Sequence, residues 1–272
     1  MVPAPRTARP NGAAFFDLDK TVIAKSSALA FGRPFYTSGL IDRRAVLKST
    51  YAQFVYSVAG ADEAQMDRMR DAMAEMCRGW EVAQVQQIVE ETLHELIHPL
   101  VYAEAVALIG EHRRAGREIV IISSSGEEMV GPIGRLLGVD RTIGTRMHVQ
   151  DGRYTGEVEF YAYGPHKASA IVELAAAAGY DLSACYAYSD SFTDLPMLEV
   201  VGHPTAVNPD KALRRAALER GWPVVVFRNP VRLRDRIARI PAPTRRVAAG
   251  AAVGLAAGAA VGTALWLHRH PD

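Results

Sequence analysis

Three apolar runs in this chain stop abruptly at polar clusters, and that repeated transition restricts the fold more than any other feature. Phe15-Phe16 runs into Asp17, residues 118–122 run into Ser123-Ser124-Ser125-Gly126, and residues 184–188 run into Ser189-Asp190-Ser191-Phe192-Thr193-Asp194. Continuous apolar strands belong to parallel sheets covered on both faces. Helical periodicity separates the runs at 101–114, at 127–137 and from Pro165 onward, and a hairpin-like stretch turns at Asp151-Gly152. A short strand near Ala206-Val207, a helix at 210–220 and a strand at 224–227 complete the pattern. Strands alternating with helices predict an α/β fold, a doubly wound Rossmann-like parallel sheet whose ligands bind at the carboxyl ends of the strands. The polar clusters stand at those ends.

Between Ile23 and Pro99 the pattern is helical instead. Apolar residues recur at spacings of three and four in Val46, Leu47, Tyr51, Phe54 and Val55, in Met66, Met69, Met73 and Met76, and in Val82, Val85, Val89 and Leu93. This predicts a helical-bundle cap over 24–99, inserted into a core made of 13–23 and 100–230, with the methionines as core filler. The residues 1–12 carry Arg6 and Arg9 but no apolar run of signal-peptide type, and read as a disordered arm. At the other end, a basic linker at 231–246 precedes 247–267, which carries no charge. A helix of that length covers the ~30 Å hydrocarbon core, so the segment reads as a transmembrane helix anchoring a cytoplasmic catalytic domain. Gly250, Gly254, Gly258 and Gly262 form a stripe suited to self-association.

Composition removes some functions from consideration. With 31 basic against 30 acidic residues the net charge is +1, which gives no positive surplus for binding nucleic acid. Cys77 and Cys185 lie far apart in apolar settings and read as free thiols in a reducing cytoplasm.

Asp17 and Asp19, two residues apart on an extended segment, share one face. Carboxylates held that close need a cation or a proton between them, so the pair is a divalent-metal site or a proton-sharing dyad, unless both are turn or N-cap residues. Singly, Ser123 reads as a loop serine, Lys167 as a solvated helix lysine, and Asp190 and Asp194 as turn residues. His94, His98 and His166 read as surface or core residues, because hard cations prefer oxygen.

Taken in order, Asp17-Leu18-Asp19-Lys20-Thr21, Ser123 at the end of an apolar strand, Lys167, and Asp190 followed by Asp194 resemble the four motifs of the haloacid dehalogenase superfamily. The closer resemblance is to its phosphoserine-phosphatase-like branch, over roughly residues 13–228. The resemblance implies a phosphomonoesterase in which Asp17 is the nucleophile and Asp19 the general acid and base. It implies Mg²⁺ held by Asp17, the backbone carbonyl of Asp19 and Asp190, with Asp194 in support, and phosphate held by Ser123, Lys167 and Thr21. Substrate choice is expected to involve Lys20 and Ser26. Phosphoserine phosphatases carry a glutamate where Ser26 stands here, and asparagine where Thr193 stands. A membrane-proximal or small-metabolite phosphate ester is therefore the expected substrate. Phosphoserine itself is the alternative, and an idle membrane-anchored interaction module is the reading from outside enzymology.

Overall fold

The computed structural model describes residues 12–41 and 63–230. Its central sheet has seven strands: β1 (Ala13–Phe16), β2 (Glu118–Gly126), β3 (Arg141–Gln150), β4 (Arg153–Phe160), β5 (Tyr186–Ser189), β6 (His203–Val207) and β7 (Val224–Val225). They lie in the order β4-β3-β2-β1-β5-β6-β7. All neighbours are parallel except β4, which runs antiparallel to β3. The chain steps outward from β1 to β2 and β3, then crosses back to β5 on the other side of β1. The crevice between β1 and β5 is thus the topological switch point, where open α/β sheets bind ligands.

Alternation along the strands fills both faces. Ala14, Phe16, Ile119 and Ile121 face α4 (Ala103–Arg114) and α5 (Glu127–Leu137) through Ile109, Val130 and Ile133. Phe15, Val120 and Ile122 face the other way, toward α6 (Pro165–Ala178), α7 (Leu195–Glu199) and α8 (Lys211–Glu219) through Ile171, Met197 and Leu213. Burying each of these larger side chains contributes about 1.5–3 kcal/mol. The doubly wound expectation therefore holds within the described residues.

The segment after β1 is helical as expected, in α1 (Ser27–Thr37), α2 (Glu63–Met76) and α3 (Val82–Ile97). Val85, Val89, Leu93 and Ile97 keep one face of α3 inward, where they join Phe31 and Phe35 of α1 in the same apolar cluster as Phe16 and Ile121. These helices and the sheet therefore share one core. Met73, expected as core filler, is 51% exposed, and Ala74 takes the buried position on α2. The apolar run from Val46 to Val58, the arm at 1–11, the linker at 231–246, and 247–267 with its glycine stripe all lie outside the described residues. Among the described residues no helix is long and apolar enough to cross a membrane.

Three boundaries depart from expectation for local reasons. Residues Leu182–Ala184 form a 3-10 turn, its start capped by the Asp181 carboxylate accepting from the Ser183 N–H, so β5 begins only at Tyr186. The Phe227 N–H donates to the Asn208 side chain, which ends β7 early. In β2 the pairing with β3 shifts between Ile122 and Gly126, so the serine cluster lies within a break in the ladder. Gly144 of β3 permits that packing, since a Cβ there would meet the Glu127 Cα at 2.8 Å.

The β3–β4 hairpin turns at Asp151 (φ 52°) and Gly152 (φ 74°), both left-handed as a type I′ turn requires. Main-chain bonds join it to the connection between α2 and α3. Gly79 N–H donates to Tyr154 O, Tyr154 N–H to Trp80 O, and Val82 N–H to Gly152 O, at 2.8, 3.1 and 3.0 Å. Cys77 is half-buried, Cys185 is buried, and both are free thiols.

Beneath the switch point lies a histidine that sequence reasoning passed over. His112 is 4% exposed, with Nε2 2.7 Å from the Tyr188 hydroxyl and Nδ1 3.2 Å from an Arg117 nitrogen. Arginine only donates, so Nδ1 accepts and the neutral ring carries its hydrogen on Nε2. Burial, then the Arg117 charge, push its pKa down to about 4 from an ordinary 6.5. A lowered histidine pKa gives stability that is complete above about pH 6.5 and is lost as pH falls toward 4, about 3 kcal/mol in all. Urea denaturation at pH 7 and pH 4.5 should therefore show wild type losing its advantage over His112→Gln on acidification. An unchanged gap would show that His112 takes up its proton in the fold as readily as in the unfolded chain.

Candidate active site

Three strand ends and one helix start converge at the switch point. The Asp17 N–H donates to Tyr188 O at 2.9 Å, which continues the β1–β5 ladder by one step and fixes where the Asp17 carboxylate emerges. Lys167 is the third residue of α6, which Pro165 opens after Gly164 (φ 52°). Its ammonium, 2% exposed, donates to Asp17 Oδ1 at 2.7 Å and to Asp194 Oδ2 at 2.8 Å. Asp194 Oδ2 also accepts from the Ser189 hydroxyl at 2.7 Å. Lys167, which taken singly reads as a solvated helix lysine, is thus the buried centre of a charged triad.

Asp190 follows β5 directly. Its loop is pinned to the start of α8, with Asp210 N–H donating to Asp190 O and the Phe192 N–H donating to the Asp210 carboxylate, both at 2.8 Å. Burial and then the nearby Asp17 charge raise the Asp190 pKa to about 8. Asp17 is raised to about 7, mainly by burial, with Lys167 opposing and Asp194 adding to the rise. For Lys167, burial works against the charged form, but Asp17 and Asp194 outweigh it and raise the pKa above its ordinary value. This is the signature of like charges crowded at a functional position.

Asp19 sits apart from this triad. Its Oδ1 accepts the Ser27 N–H at 2.9 Å, at the first turn of α1, and its Oδ2 lies 3.4 Å from the Ser125 hydroxyl. Burial raises its pKa, against hydrogen bonds from Ser27 and Ser26. The two aspartates of one strand end therefore have separate environments. Ser123 is buried and its hydroxyl accepts the Ser125 N–H at 3.2 Å. Thr21 is fully buried, and its hydroxyl has no hydrogen-bond partner among the described residues. Lys20 is exposed in the left-handed region (φ 61°), uncommon outside glycine, with its charge acting on Asp190.

Among the described residues, no three His, Cys, Asp or Glu side chains converge as a metal cage. Two carboxylates with a backbone carbonyl and waters would nonetheless suit Mg²⁺. Asp194, expected to support the cation, has Oδ2 engaged by Lys167 and Ser189. His94 and His166 are exposed and His98 is half-buried. Sequence reasoning missed Ser27, Ser125 and Ser189, whose partners are distant in sequence or too ordinary to stand out. The run of three serines near the end of β2 was the available signal for Ser125.

The family model of haloacid dehalogenase-like hydrolases matches residues 14–199. A Mycobacterium tuberculosis protein named as a probable phosphatase is 60% identical over 94% of this chain and 88% of its own length. A phosphoserine phosphatase of the same organism is 36% identical over 89% of this chain and 78% of its own. Among solved structures, a Bordetella pertussis protein of unknown function superposes with a TM-score of 0.70 at 26% identity, covering 79% of this chain and 98% of that one. With the matched span containing every strand end that converges on Asp17, the chain belongs to the haloacid dehalogenase-like hydrolases.

Proposed function

We propose that this hydrolase is a Mg²⁺-dependent phosphomonoesterase working through a phosphorylated Asp17. The observation that carries the reading is the buried Asp17–Lys167–Asp194 triad beside a second, separately held carboxylate, Asp19. One aspartate is positioned as a nucleophile and the other is free to exchange protons, as two-step displacement requires. Lys167 supplies a compact positive charge for the phosphoryl oxygens, Ser123 would add a hydroxyl, and the Thr21 hydroxyl, without a partner among the described residues, is a further polar group an oxygen-rich ligand would satisfy. Asp17, Asp190 and the Asp19 backbone carbonyl would hold Mg²⁺, and the mutual repulsion that burial leaves at Asp190 fits a cation there. Bound, the cation would neutralise that acidic cluster and polarise the phosphoryl oxygens.

The phosphoserine phosphatase among the relatives supports a small phosphorylated alcohol as substrate. Ser26 cannot pair with a substrate amino group as glutamate would, and it lies against Asp19 instead. The test is phosphate release by the full-length protein, with and without Mg²⁺. The panel holds phosphoserine, glycerol phosphate, 4-nitrophenyl phosphate and phosphatidate in vesicles. Mg²⁺-dependent release from at least one ester is expected, and no release from any sinks the proposal. A preference for the vesicles over the soluble esters would favour a membrane-proximal substrate.

A further inference from the structure

We propose that Ser125 and Ser27 are positioning residues for Asp19, so that proton delivery to the leaving group depends on how α1 of the cap seats against β2. The inference deepens the phosphatase reading above and rests on it. Four contacts carry it, the longest of them between Ser125 and Asp19. The Ser27 N–H holds Asp19 Oδ1 at 2.9 Å, the two serine hydroxyls meet at 2.7 Å, the Ser125 hydroxyl reaches Asp19 Oδ2 at 3.4 Å, and the Ser125 N–H holds the Ser123 hydroxyl at 3.2 Å. Ser27 is fully buried and Ser125 is 9% exposed, while Asp19 between them is half-buried.

Hydrogen-bond chemistry then distinguishes the two oxygens of Asp19. An N–H can only donate, so Oδ1 must remain an acceptor, and Oδ2 is the oxygen that carries a proton. A hydroxyl both donates and accepts, so Ser125 can serve Oδ2 with or without its proton, while Ser27 compensates by turning its own hydroxyl. Ser27 belongs to the cap and Ser125 to the core strand, and Asp19 lies between them. Ser125 also fixes Ser123 through its main chain, so one residue sets the acid and one of the groups expected on the phosphate. In the first step, an Asp17 carboxylate oxygen bonds to phosphorus as the bond from phosphorus to the leaving oxygen breaks. The proton on Asp19 Oδ2 passes to that oxygen, giving the free alcohol, the acyl phosphate on Asp17, and an ionised Asp19. A shift of α1 would release Oδ1 and the Ser27 hydroxyl together, and so uncouple this transfer without touching Asp17.

The leaving group's need for a proton provides the test. Phenyl phosphate and 4-nitrophenyl phosphate share a ring, but 4-nitrophenolate departs unprotonated far more readily than phenolate. Full-length Ser125→Ala should lose at least about tenfold in kcat/KM on phenyl phosphate and under about threefold on 4-nitrophenyl phosphate, because kcat/KM reports only the step in which the leaving group departs, whereas the hydrolysis of the acyl phosphate is common to both. Ser125→Thr should recover most of the loss. Ser27→Ala, which keeps the main-chain N–H, should show the same selective loss in smaller measure and serves if Ser125→Ala is poorly folded. Equal losses on both esters, or none, overturn the inference while leaving the phosphatase reading intact. A wild type inactive on both esters sinks the reading and the inference together.

Discussion

Asp17→Asn should reduce phosphate release by at least about 10³-fold while leaving the protein as stable as wild type, or more so, in chelator at pH 8. The amide keeps the shape and can still accept from Lys167, but it cannot attack phosphorus. The stability sign follows from Asp17's raised pKa, about 7 against 3.8. A carboxyl group raised by burial destabilises the fold once the pH lies above the folded value, and it does so increasingly between the two values. Removing its charge therefore relieves strain, with the effect growing from about pH 4 to pH 7. Thermal melts should also separate the two proteins on adding Mg²⁺. Wild type should gain stability by linkage, and the variant should gain less because a ligand is gone. Equal phosphatase activity in the variant would remove Asp17 from the chemistry. An unstable, inactive variant would show that the residue is structural.

Lys167→Met should do the opposite to stability. The ammonium is shared by Asp17 and Asp194 at 2.7 and 2.8 Å, deep in the protein. Deleting it leaves two buried carboxylates facing each other, a defect of about 3–5 kcal/mol. Phosphate release should also fall by at least about 10²-fold, since the charge meant for the phosphoryl oxygens is gone. Acidification should restore part of the lost stability as the stranded carboxyl groups take up protons. Adding Asp194→Asn should restore part of it at neutral pH without returning activity. Lys167→Arg would be a poor control, because a planar fork does not fill the place of a point charge. A Lys167→Met protein as stable as wild type at neutral pH would mean the triad is not held as described.

The motif residues were legible because their chemistry is local: an aspartate at a strand end, a serine closing an apolar run, a lysine opening a helix after Pro165. What brought them together was topology: the sequence pattern predicted a doubly wound sheet, and the strand order of the structure puts the switch point between β1 and β5. The partners that tune them were harder to see. Ser27 and Ser125 stand 98 residues apart, and nothing about either hydroxyl singles it out until α1 and β2 meet. His112 carries no signal in the helical span at 101–114; burial and the Arg117 charge keep it neutral, and the Tyr188 hydroxyl is its partner from the sheet. The methionine series misled for a simpler reason. Spacing gives the face of a helix, but on α2 the small Ala74 packs inward and Met73 turns outward.

The bonds between the β3–β4 hairpin and residues 79–82 have a meaning beyond holding the cap in place. β4 is the last strand on its side of the sheet, and an uncovered edge strand offers free N–H and C=O groups to any extended chain that meets it. Here the connection between α2 and α3 occupies that edge around Tyr154, with the Arg153–Glu81 ion pair lying over it. The segment thereby acts as a guard against strand-by-strand self-association, so shortening or loosening it would cost solubility.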